Sequence, residues 1–455
     1  MRTLGEIAKE VREVTLHGDP ATIVTGITND SRQVRKGFIY AVVRGAKADG
    51  AVFIPAALEA GAAAILSDRP HDVAVPLLQT DDVRDALGPV AASCFGNPGA
   101  AMRLVGVTGT NGKTTITWLV ESILSSVEMP CGVMGTIEYR FGNRVWSASH
   151  TTPEAPVIQS ILRDMRDAGA VAVAMETSSH GLVLGRLRGC VFDVAAFTNL
   201  TQDHLDFHAT MEEYGAAKMQ LFTRHVSSDR HSKVVVNIDD SFAAQIMSAT
   251  AVPVCTVSCD PDSGADFRPC AEPGYAIDGI HTDIVTPAGI VCLDSPLVGR
   301  HNLNNLLVAA AIGWCLEISM EAITAALATR STVPGRLERV VYPGGCAVFV
   351  DYAHTPDALE RVLGALRPLT AGRLFCVFGC GGDRDAGKRP LMGAAVAERA
   401  DVAIATSDNP RTEDPDRILD MVEEGLRQAG ARRLAEPDAA TRNGYLRILD
   451  RKSVV

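Results

Sequence analysis

Short runs of apolar residues alternate along most of the chain with segments whose apolar residues recur at helical spacing. The runs are typical of buried strands and the spaced pattern of amphipathic helices, so the alternation predicts α/β layers with parallel sheets. The runs that we expect to form strands cover residues 38–43, 62–66, 102–108, 171–176, 194–199, 233–237, 347–351, 374–379 and 402–406. The clearest helical patterns cover residues 212–222 and 302–327.

Two segments rich in Gly, Pro and other turn-forming residues interrupt the alternation, at residues 94–100 and 332–335. A chain of 455 residues is long enough for about three domains of ordinary size. We therefore expect a first domain over residues 1–98, a central domain over residues 99–332 and a third domain over residues 333–455.

The overall charge argues against nucleic acid as a ligand. The 43 basic and 54 acidic side chains leave a formal net charge of −11, whereas proteins that bind nucleic acid through its phosphates usually carry a basic excess. We therefore expect no nucleic-acid partner, and an anionic ligand must be bound by a local site.

The cysteines and the apolar segments indicate the compartment. The 11 cysteines are scattered without a CxxC pair, which favours reduced, mostly buried thiols over disulfides or a zinc site. The N-terminal segment carries acidic residues and lacks the apolar core of a signal peptide. No stretch approaches the ~20 apolar residues of a membrane-spanning helix. We expect a cytoplasmic protein that does not insert into a membrane.

The most specific motif is TGTNGKTT at residues 108–115, between a predicted strand and a predicted helix. Glycines allow the backbone to wrap around phosphate, and the N–H groups at the start of a helix attract its charge. In such a loop Lys113 would contact the β- and γ-phosphates, and Thr114 would bind Mg²⁺. Val107 stands where the strict P-loop pattern has Gly, but the motif still predicts a nucleotide site.

Acidic and histidine residues follow the next predicted strands of the central domain. Glu176 ends the strand predicted at 171–176, and His204 lies in the segment TNLTQDHLDFH after the strand predicted at 194–199. Since the carboxyl ends of parallel strands meet at one edge of a sheet, we expect both side chains to ligate Mg²⁺ beside the phosphates. Lys218 lies on the helix predicted at 212–222, where the alternative is a solvated lysine.

Three polar segments follow predicted strands of the third domain, with the sequences DYAHTP (351–356), GCGGDRDAGKRP (379–390) and SDNPRT (407–412). We expect all three at one rim of a doubly wound sheet, where they would form a binding surface for a zwitterion or a nucleotide. Arg336 lies in the segment PGR near the second break, and would contact a phosphate only after domain closure.

In sequence order, these motifs resemble those of the Mur ligases, ATP-dependent enzymes that form amide bonds in peptidoglycan precursors. The resemblance extends over about residues 1–436 and rests on TGTNGKTT, METSSHGL, TNLTQDHLDFH, AAK (216–218), GRHNLNN, DYAHTPDALE, GCGGDRDAGKRP and DNPR. It implies a central P-loop ATPase domain with a parallel sheet, an N-terminal α/β domain that binds a UDP-sugar and a C-terminal Rossmann-like domain that binds an amino acid.

The resemblance is greatest to the family members that add a diamino acid to UDP-N-acetylmuramoyl-L-alanyl-D-glutamate. It implies ATP and Mg²⁺ as cofactors, with two magnesium sites, and a reaction through an acyl phosphate. The γ-carboxylate of the substrate would attack the γ-phosphate of ATP, and the amine of the amino acid would then displace phosphate. We expect the enzyme to act as a monomer.

Site residues are also implied by the resemblance, motif by motif. For the UDP-sugar it implies Ser31, with Asp30 and Arg32 beside it, and for the muramoyl peptide Thr151, Thr152, Ser178 and Arg186. For ATP it implies Gly109, Thr110, Asn111, Gly112, Lys113, Thr114, Thr115, Asn302, Asn305, Arg336 and Asp351. The implied metal ligands are Thr114, Glu176, His204 and Lys218, and the implied catalytic residues are Lys113, Lys218 and His204.

For Lys218 the resemblance implies N6-carboxylysine. Addition of CO₂ to the amine replaces a cation with an oxygen ligand for a second Mg²⁺. Leu184 stands where relatives carry a polar residue, so one contact to the muramoyl peptide is in question.

The amino acid can be predicted from charge. DNPR matches the motif of the members that add meso-2,6-diaminopimelate, and the implied binding residues are Arg384, Asp408, Asn409 and Arg411. A guanidinium fork suits a carboxylate. Diaminopimelate has a carboxylate at its far end, whereas L-lysine has only an ammonium there. We therefore predict diaminopimelate as the amino acid.

The C-terminal segment departs from the family. The resemblance fades after residue 436, and the GKGHE segment of relatives, which also contacts diaminopimelate, does not occur in the chain. We therefore expect the third domain to lack its last strand–helix units, which leaves turnover by this chain open.

Three alternatives remain at this point: an L-lysine-adding ligase of the same family, a folylpolyglutamate synthetase-like ligase, and a catalytically silent nucleotide-binding relative. The first domain and DNPR argue against the second alternative. The presence of Lys113, Glu176, His204 and Lys218 argues against the third.

Overall fold

A computed structural model of the chain describes residues 1–45, 49–148, 150–204, 207–329, 333–340, 342–436 and 441–450. These residues form two compact units. The first comprises Met1–Glu272, Asp283–Cys292 and Asn304–Leu327, and the second comprises Pro273–Thr282, Leu293–Leu303 and Ala328–Val455. Each contains parallel sheets and helices, which confirms the predicted α/β class. The predicted domain limits at residues 98 and 332 stay predictions.

The N-terminal part of the first unit is an α/β layer. Its elements are β1 (Arg2–Thr3), α1 (Leu4–Glu10), β2 (Thr15–His17), β3 (Ile23–Val24), β4 (Gly26–Thr28), β5 (Phe38–Ala41), α2 (Ile54–Glu59), β6 (Ala64–Ser67), β7 (Leu77–Gln79) and α3 (Val83–Cys94). The described strands β2-β7-β6-β5-β4 form one sheet in that order, and β4 to β7 are parallel. Ile39 packs into a core with α1 and α3, whereas Tyr40 packs into a core with α2. The sheet is therefore covered on both faces.

The central part of the first unit contains the largest sheet. Its elements are β8 (Arg103–Thr108), α4 (Lys113–Ser126), β9 (Cys131–Met134), β10 (Tyr139–Phe141), β11 (Arg144–Trp146), α5 (Ala155–Asp167), β12 (Ala172–Glu176), α6 (Ser179–Val183), β13 (Val194–Phe197), α7 (Met211–Arg224), β14 (Lys233–Asn237), α8 (Ala243–Ala249) and β15 (Val254–Val257). Within the described ranges the strand order is β11-β10-β9-β12-β8-β13-β14-β15.

β8 lies at the middle of this sheet and is parallel to both of its neighbours, β12 and β13. Its apolar residues are fully buried, as expected for a strand covered on both faces. β8 continues through α4 to β9 on one side of it, whereas its neighbour β13 continues through α7 to β14 on the other side, so the connections after these two strands run in opposite directions. This is the position at which open parallel sheets bind ligands.

Four short strands and two helices follow: β16 (Arg268–Pro269), β17 (Gly274–Ala276), β18 (Gly279–Thr286), β19 (Gly289–Ser295), α9 (Arg300–Cys315) and α10 (Met320–Thr329). The helical pattern at 302–327 thus corresponds to two helices. They are separated at Glu317, whose φ of +67° lies in the left-handed region. None of the helices within the described ranges is long and apolar enough to cross a bilayer.

The C-terminal part of the second unit contains β20 (Glu338–Val340), β21 (Val348–Val350), α11 (Pro356–Leu366), β22 (Phe375–Phe378), α12 (Lys388–Arg399), β23 (Val402–Thr406), α13 (Pro415–Gln428), β24 (Arg432–Arg433) and β25 (Gly444–Ile448). The described strands β22-β23-β25-β24 form a parallel sheet in that order.

The expectation that Asp351 lies on the same sheet rim as the other two polar segments is wrong. β21, which precedes Asp351, pairs antiparallel with β20 in a separate hairpin and not with β22. The segments after β22 and β23 do share a rim, because these strands are parallel neighbours.

Candidate active site

The loop between β8 and α4 requires glycine at two positions. Gly112 is the N-cap of α4 with φ +89°, and Gly109 has φ +147°. A Cβ atom on Gly109 would overlap with Thr198 Oγ1, and one on Gly112 would overlap with Asn305 Oδ1. The loop therefore depends on the absence of side chains at both positions.

The segment after β13 forms hydrogen bonds with the backbone of the glycine loop. Asn199 accepts from Thr110 N with its carbonyl and from Asn111 N with its side-chain oxygen, each at 2.9 Å. Thr198 Oγ1 donates to the carbonyl of Asn111 at 2.6 Å. The hydrogen bonds fix the loop at the carboxyl end of the central strand β8.

Lys113 lies over the loop that precedes it. Its Nζ donates to the carbonyl oxygens of Gly109 and Thr110, each at 2.8 Å. Thr114 and Thr115 follow in the first turn of α4 and are buried. The ammonium and the helix N-terminus together give the loop the positive potential that a phosphate requires.

Glu176, the last residue of β12, is only 2% exposed, and its carboxylate is oriented by one residue. Thr136 donates to this carboxylate twice, from its backbone N at 2.9 Å and from Oγ1 at 3.0 Å. Thr136 Oγ1 also lies 3.0 Å from Thr151 Oγ1. A carboxylate has about four acceptor positions, so Glu176 retains acceptor capacity for a metal ion.

The four residues expected to contact the muramoyl peptide lie together beside Glu176. Thr152 Oγ1 donates to the carbonyl of Glu176 at 2.8 Å and accepts from Ser178 N at 3.0 Å. Ser178 caps α6 by accepting from Gly181 N at 3.1 Å. Arg186 Nη1 donates to the carbonyl of Thr152 at 2.9 Å.

Glu154 connects this group to residues 29–32, the segment NDSR that contains Ser31. Its carboxylate forms an ion pair with Arg186 Nε at 2.8 Å and accepts from Asn29 Nδ2 at 3.2 Å. Ser31 follows in a short 3₁₀ turn, Ser31–Gln33, which Asp30 caps by accepting from Arg32 N. The segment expected to hold the UDP-sugar is thus in direct contact with the segment expected to hold the peptide.

His204 and Lys218 belong to one aromatic cluster. The His204 ring lies 5.0 Å from that of His180 and 6.0 Å from that of Tyr214, centroid to centroid. Lys218 Nζ lies 4.2 Å above the Tyr214 ring, and the Tyr214 hydroxyl is 3.3 Å from Thr110 Oγ1. Tyr214 therefore connects the glycine loop with Lys218.

Lys218 is the most deeply buried lysine of this site, at 1% exposure. Burial lowers the pKa of its ammonium well below the usual value, the charge of Lys113 lowers it further, and Asp203 opposes both. The alternative that Lys218 is a solvated lysine is therefore wrong, because its side chain faces the interior.

Asn302 and Asn305 lie one turn apart on α9 and are both buried. Asn302 Nδ2 donates to the carbonyl of Val298 at 2.9 Å. Asn305 is the residue that approaches Gly112. The structure thus places one of the two asparagines beside the glycine loop.

In the second unit, Arg336 and Asp351 lie at the same end of the hairpin formed by β20 and β21. Asp351 accepts from Leu337 N and Ala353 N, each at 2.8 Å. The Arg336 guanidinium lies 5.6 Å from the centroid of the Tyr352 ring. Burial raises the pKa of the Asp351 carboxyl, and its two N–H donors oppose that rise.

The four residues expected to bind diaminopimelate lie on two adjacent loops of the second unit. We name residues 379–387, which follow β22, the first rim loop, and residues 407–414, which follow β23, the second rim loop. Gly382 N donates to the carbonyl of Asn409 at 2.8 Å, and Arg411 Nη1 donates to the carbonyl of Gly382 at 3.1 Å. Arg384, Asp408, Asn409 and Arg411 are all exposed.

The candidate metal ligands differ in type. In the part of the chain that the structure describes, no three His, Cys, Asp or Glu side chains are grouped to hold an ion. The donors available beside the loop are the Thr114 hydroxyl and the Glu176 carboxylate, which are hard oxygen ligands suited to Mg²⁺ completed by phosphate oxygens. These residues fit a magnesium ion bound together with a nucleotide.

Four residues of the site were not predicted from the sequence: Asn29, Thr136, Glu154 and Tyr214. The signal for Asn29 and Tyr214 is their position, since Asn29 directly precedes Asp30 and Tyr214 lies four residues before Lys218 on the predicted helix. Thr136 and Glu154 act through hydrogen bonds and an ion pair between segments distant in sequence, which composition and spacing do not reveal.

The site combines a glycine loop at the centre of a parallel sheet, a lysine folded over that loop and an oriented carboxylate on the neighbouring strand. These features are typical of an enzyme that uses a nucleoside triphosphate. Three segments match models of known families. Residues 23–93 match the model described as "Mur ligase family, catalytic domain", and residues 107–313 match "Mur ligase middle domain". Residues 335–455 match "Mur ligase, glutamate ligase domain".

Named relatives are similar over nearly the whole chain. The UDP-N-acetylmuramoyl-L-alanyl-D-glutamate–2,6-diaminopimelate ligase of Geobacter metallireducens is 41% identical over 460 residues, covering 99% of this chain and 89% of that protein. The enzyme of the same name from Streptomyces avermitilis is 43% identical, covering 91% and 82%. The chain belongs to the Mur ligase family.

Solved structures agree with this assignment. A structure of a UDP-N-acetylmuramoyl-L-alanyl-D-glutamate–2,6-diaminopimelate ligase superposes with a TM-score of 0.75 and 32% identity, covering 99% of this chain and 89% of that chain. Folylpolyglutamate synthase of Mycobacterium tuberculosis, complexed with ADP, has a TM-score of 0.61 and 20% identity, covering 80% and 91%. The second likeness concerns the fold alone.

Proposed function

We propose that the chain is the ATP-dependent ligase that joins meso-2,6-diaminopimelate to UDP-N-acetylmuramoyl-L-alanyl-D-glutamate in peptidoglycan precursor synthesis. The observation that carries the proposal is the link through Thr136. This residue bonds to Glu176, at the edge of the sheet that carries the glycine loop, and lies beside Thr151, in the segment expected to hold the muramoyl peptide. The names of relatives at 41–44% identity support the same substrates.

In the first step the γ-carboxylate of the substrate attacks the γ-phosphate of ATP, which gives an acyl phosphate and ADP. Lys113 is positioned to neutralise charge on the transferred phosphoryl group once a nucleotide replaces its contacts with the loop carbonyls. Thr114 and Glu176 would hold Mg²⁺, which supplies further neutralisation of phosphate charge when bound. We propose that His204 lies at the same metal site, since its cluster contacts the loop through Tyr214 and Thr110.

In the second step the amine of diaminopimelate attacks the acyl carbon, and phosphate leaves with the oxygen that came from the carboxylate. We propose that Arg384, Asp408, Asn409 and Arg411 bind the amino acid. Two guanidinium groups and two polar side chains exposed on one rim suit a ligand that carries carboxylates and ammonium groups. Arg336 and Asp351, together with Asn302 and Asn305, are proposed contacts of the nucleotide.

We also propose that Lys218 carries a carbamate. An ammonium at 1% exposure has lost most of its hydration, whereas a carbamate in the same position provides an oxygen ligand for a second magnesium ion. Incubation with ¹³C-bicarbonate should give a carbamate signal by NMR in the wild type and in Lys233→Ala, a matched lysine control, but not in Lys218→Ala. Equal signals in all three proteins would exclude the modification at Lys218.

The proposed substrates suggest a location, and the assigned residues suggest a state of assembly. We propose that the enzyme acts in the cytoplasm, where ATP and nucleotide-linked sugars are available. We propose that it acts as a monomer, since one chain supplies every residue assigned above.

An ¹⁸O-labelling experiment tests the proposed function. Substrate labelled with ¹⁸O in the γ-carboxylate is incubated with ATP, Mg²⁺ and meso-diaminopimelate, and both products are analysed by mass. The proposal predicts a UDP-linked tripeptide and inorganic phosphate that carries one ¹⁸O, and neither product from Lys113→Ala. Unlabelled phosphate beside a labelled amide would contradict the acyl phosphate, and ATP binding without any product would favour a silent relative.

A further inference from the structure

The two rim loops contain backbone strain at the candidate amino-acid site. Asp383 in the first rim loop has φ +54° and Arg411 in the second has φ +50°. Side chains other than glycine rarely adopt the left-handed region, and such conformations persist only where the surroundings hold them. The residues that hold these two positions therefore determine where the neighbouring guanidinium groups lie.

An ion pair between a buried arginine and a partly exposed glutamate connects the loops. Arg389, in the first turn of α12, is only 2% exposed although it is an arginine. Its Nη1 and Nη2 donate to Glu413 Oε2 and Oε1 at 2.9 and 2.8 Å, which is the bidentate geometry of a strong charge-assisted pair. Glu413 belongs to the second rim loop, whereas Arg389 lies just beyond the first.

Glu413 also acts on the strained backbone directly. Its Oε1 accepts a hydrogen bond from Asp383 N in the first rim loop. Thr412 Oγ1 donates to Asp383 Oδ1 at 2.7 Å. Asp383, which precedes Arg384, is thus held by the two residues that follow Arg411.

The loops are too close for other arrangements of the backbone. A Cβ atom on Gly382 would overlap with the carbonyl of Pro410, and one on Gly379 would overlap with the carbonyl of Thr406. Because the loops touch through their backbones, a shift in one is transmitted to the other. A change at the ion pair therefore moves both guanidinium groups that we assign to the ligand.

Stability alone does not explain this pair. Burying the Arg389 guanidinium costs hydration that its attraction to the partly exposed Glu413 carboxylate barely restores, and apolar residues often stabilise such buried positions as well or better. The Arg389 guanidinium is engaged by Glu413 and buried, so it is not available to a ligand on the exposed rim. Its contribution to binding must act through the loops.

We propose that Arg389 and Glu413 are positioning residues for the amino-acid substrate, which fix Arg384 and Arg411 in the geometry that binds its carboxylates. The inference rests on the proposed function, because it concerns the same amino-acid site. Neither residue belongs to the segments assigned to ATP or to the UDP-linked substrate.

The test compares Arg389→Lys and Glu413→Gln with the wild type in steady-state ligation. Lysine keeps the positive charge but cannot form the two parallel hydrogen bonds of the guanidinium. Glutamine keeps one acceptor oxygen but loses the negative charge. We expect each variant to raise KM for diaminopimelate about tenfold, with KM for ATP and for the UDP-linked substrate unchanged. The double variant should raise KM for diaminopimelate little more than either single change does, because both changes break the same ion pair.

The matched control is Arg367→Lys, in the same unit. Arg367 pairs with Asp401 at 2.7 Å, and Asp401 accepts from Leu374 N at 2.8 Å, just before β22 begins. This variant should lower the melting temperature and leave KM for diaminopimelate unchanged. The inference is overturned if Arg389→Lys and Glu413→Gln behave in the same way, with a lower melting temperature and an unchanged KM.

The design separates this inference from the proposed function. A wild-type chain that ligates no diaminopimelate would overturn the proposed function and the inference with it. A wild-type chain that ligates it, with variants that retain its KM, would overturn the inference alone. If Arg389→Lys does not fold, the KM of Glu413→Gln and of Glu413→Asp decides the question.

Discussion

At the start of α4 a methyl group on Gly112 would overlap with Oδ1 of Asn305, a buried side chain that would have to move. Gly112 also has φ +89°, which alanine adopts at a cost of about 1–2 kcal/mol. We predict that Gly112→Ala weakens ADP binding by at least about tenfold, since strain and overlap act together. Isothermal titration with ADP and Mg²⁺ measures the change.

The control for this prediction is Gly169→Ala. Gly169 has φ +98°, but a Cβ atom there would meet nothing within 4 Å. The variant therefore carries the backbone strain without the overlap, and its affinity for ADP should equal that of the wild type. Equal losses in both variants would mean that general destabilisation, and not the shape of the loop, weakens binding.

A buried histidine makes stability depend on pH. Burial lowers the pKa of His225 to about 4 from its usual 6.5, so in the window between these values the unfolded chain binds a proton that the folded chain does not. Stability from this residue is complete above pH 6.5 and is lost as the pH falls toward 4. We predict a loss of about 2 kcal/mol from His225 between pH 7.5 and about pH 5.

Urea unfolding at the two pH values measures this loss. His225→Asn should be less stable than the wild type at neutral pH and should lose correspondingly less stability on acidification. His354, which is exposed, provides the control for the substitution itself, since His354→Asn should leave the stability at neutral pH within about 0.5 kcal/mol of the wild type. A wild type and a His225→Asn protein with the same pH dependence would refute the assignment.

Residues within contiguous motifs were predictable, because the chemistry lies in neighbouring positions. Lys113 follows directly from the glycine loop, and Glu176 from its place at a strand end. Thr136 was not predictable: it lies in the unremarkable segment MGTIEY, and its importance depends on a hydrogen bond to a residue 40 positions away.

The connection between β12 and the segment after β9 depends on that threonine. Thr136→Val preserves the shape of the side chain but removes the hydroxyl that bonds to Glu176 and adjoins Thr151. We predict that kcat/KM for the UDP-linked substrate falls about tenfold, which corresponds to one hydrogen bond to a charged group. Steady-state ligation measures the effect.

Thr223→Val on α7 is the matched control. Among the described residues, its hydroxyl donates to the carbonyl of Met219, one turn earlier in the same helix, at 3.1 Å. Activity should be unchanged. If Thr136→Val is also fully active, the link through Glu176 has no part in catalysis.

Strands and helices of the chain were largely predictable from periodicity, but their partners were not. The strand predicted at 402–406 coincides with β23, and that at 233–237 with β14. The error at Asp351 arose because a strand end was assigned to a sheet without evidence of pairing. The sequence YPGGC at 342–346, between β20 and β21, is a turn signal that favours the antiparallel hairpin.

The candidate residues occur in both compact units. The glycine loop, Glu176 and Lys218 belong to the first, whereas the rim loops with Arg384 and Arg411 belong to the second. The order of the motifs predicted the rim loops in a different domain from the glycine loop, and the limits of these domains stay predictions. It did not indicate the ion pair that holds the rim, since Arg389 and Glu413 lie 24 positions apart with no shared motif.

The choice of amino acid is the property that depends most on the whole molecule, because it requires the phosphorylating site and the arginine-bearing rim in one enzyme. A single reaction tests it most directly. The purified chain is given ATP, Mg²⁺, UDP-N-acetylmuramoyl-L-alanyl-D-glutamate and equal concentrations of meso-2,6-diaminopimelate and L-lysine, and the products are identified by mass. We predict the diaminopimelate tripeptide as the main product; a main product that contains lysine, or no tripeptide at all, would contradict this account.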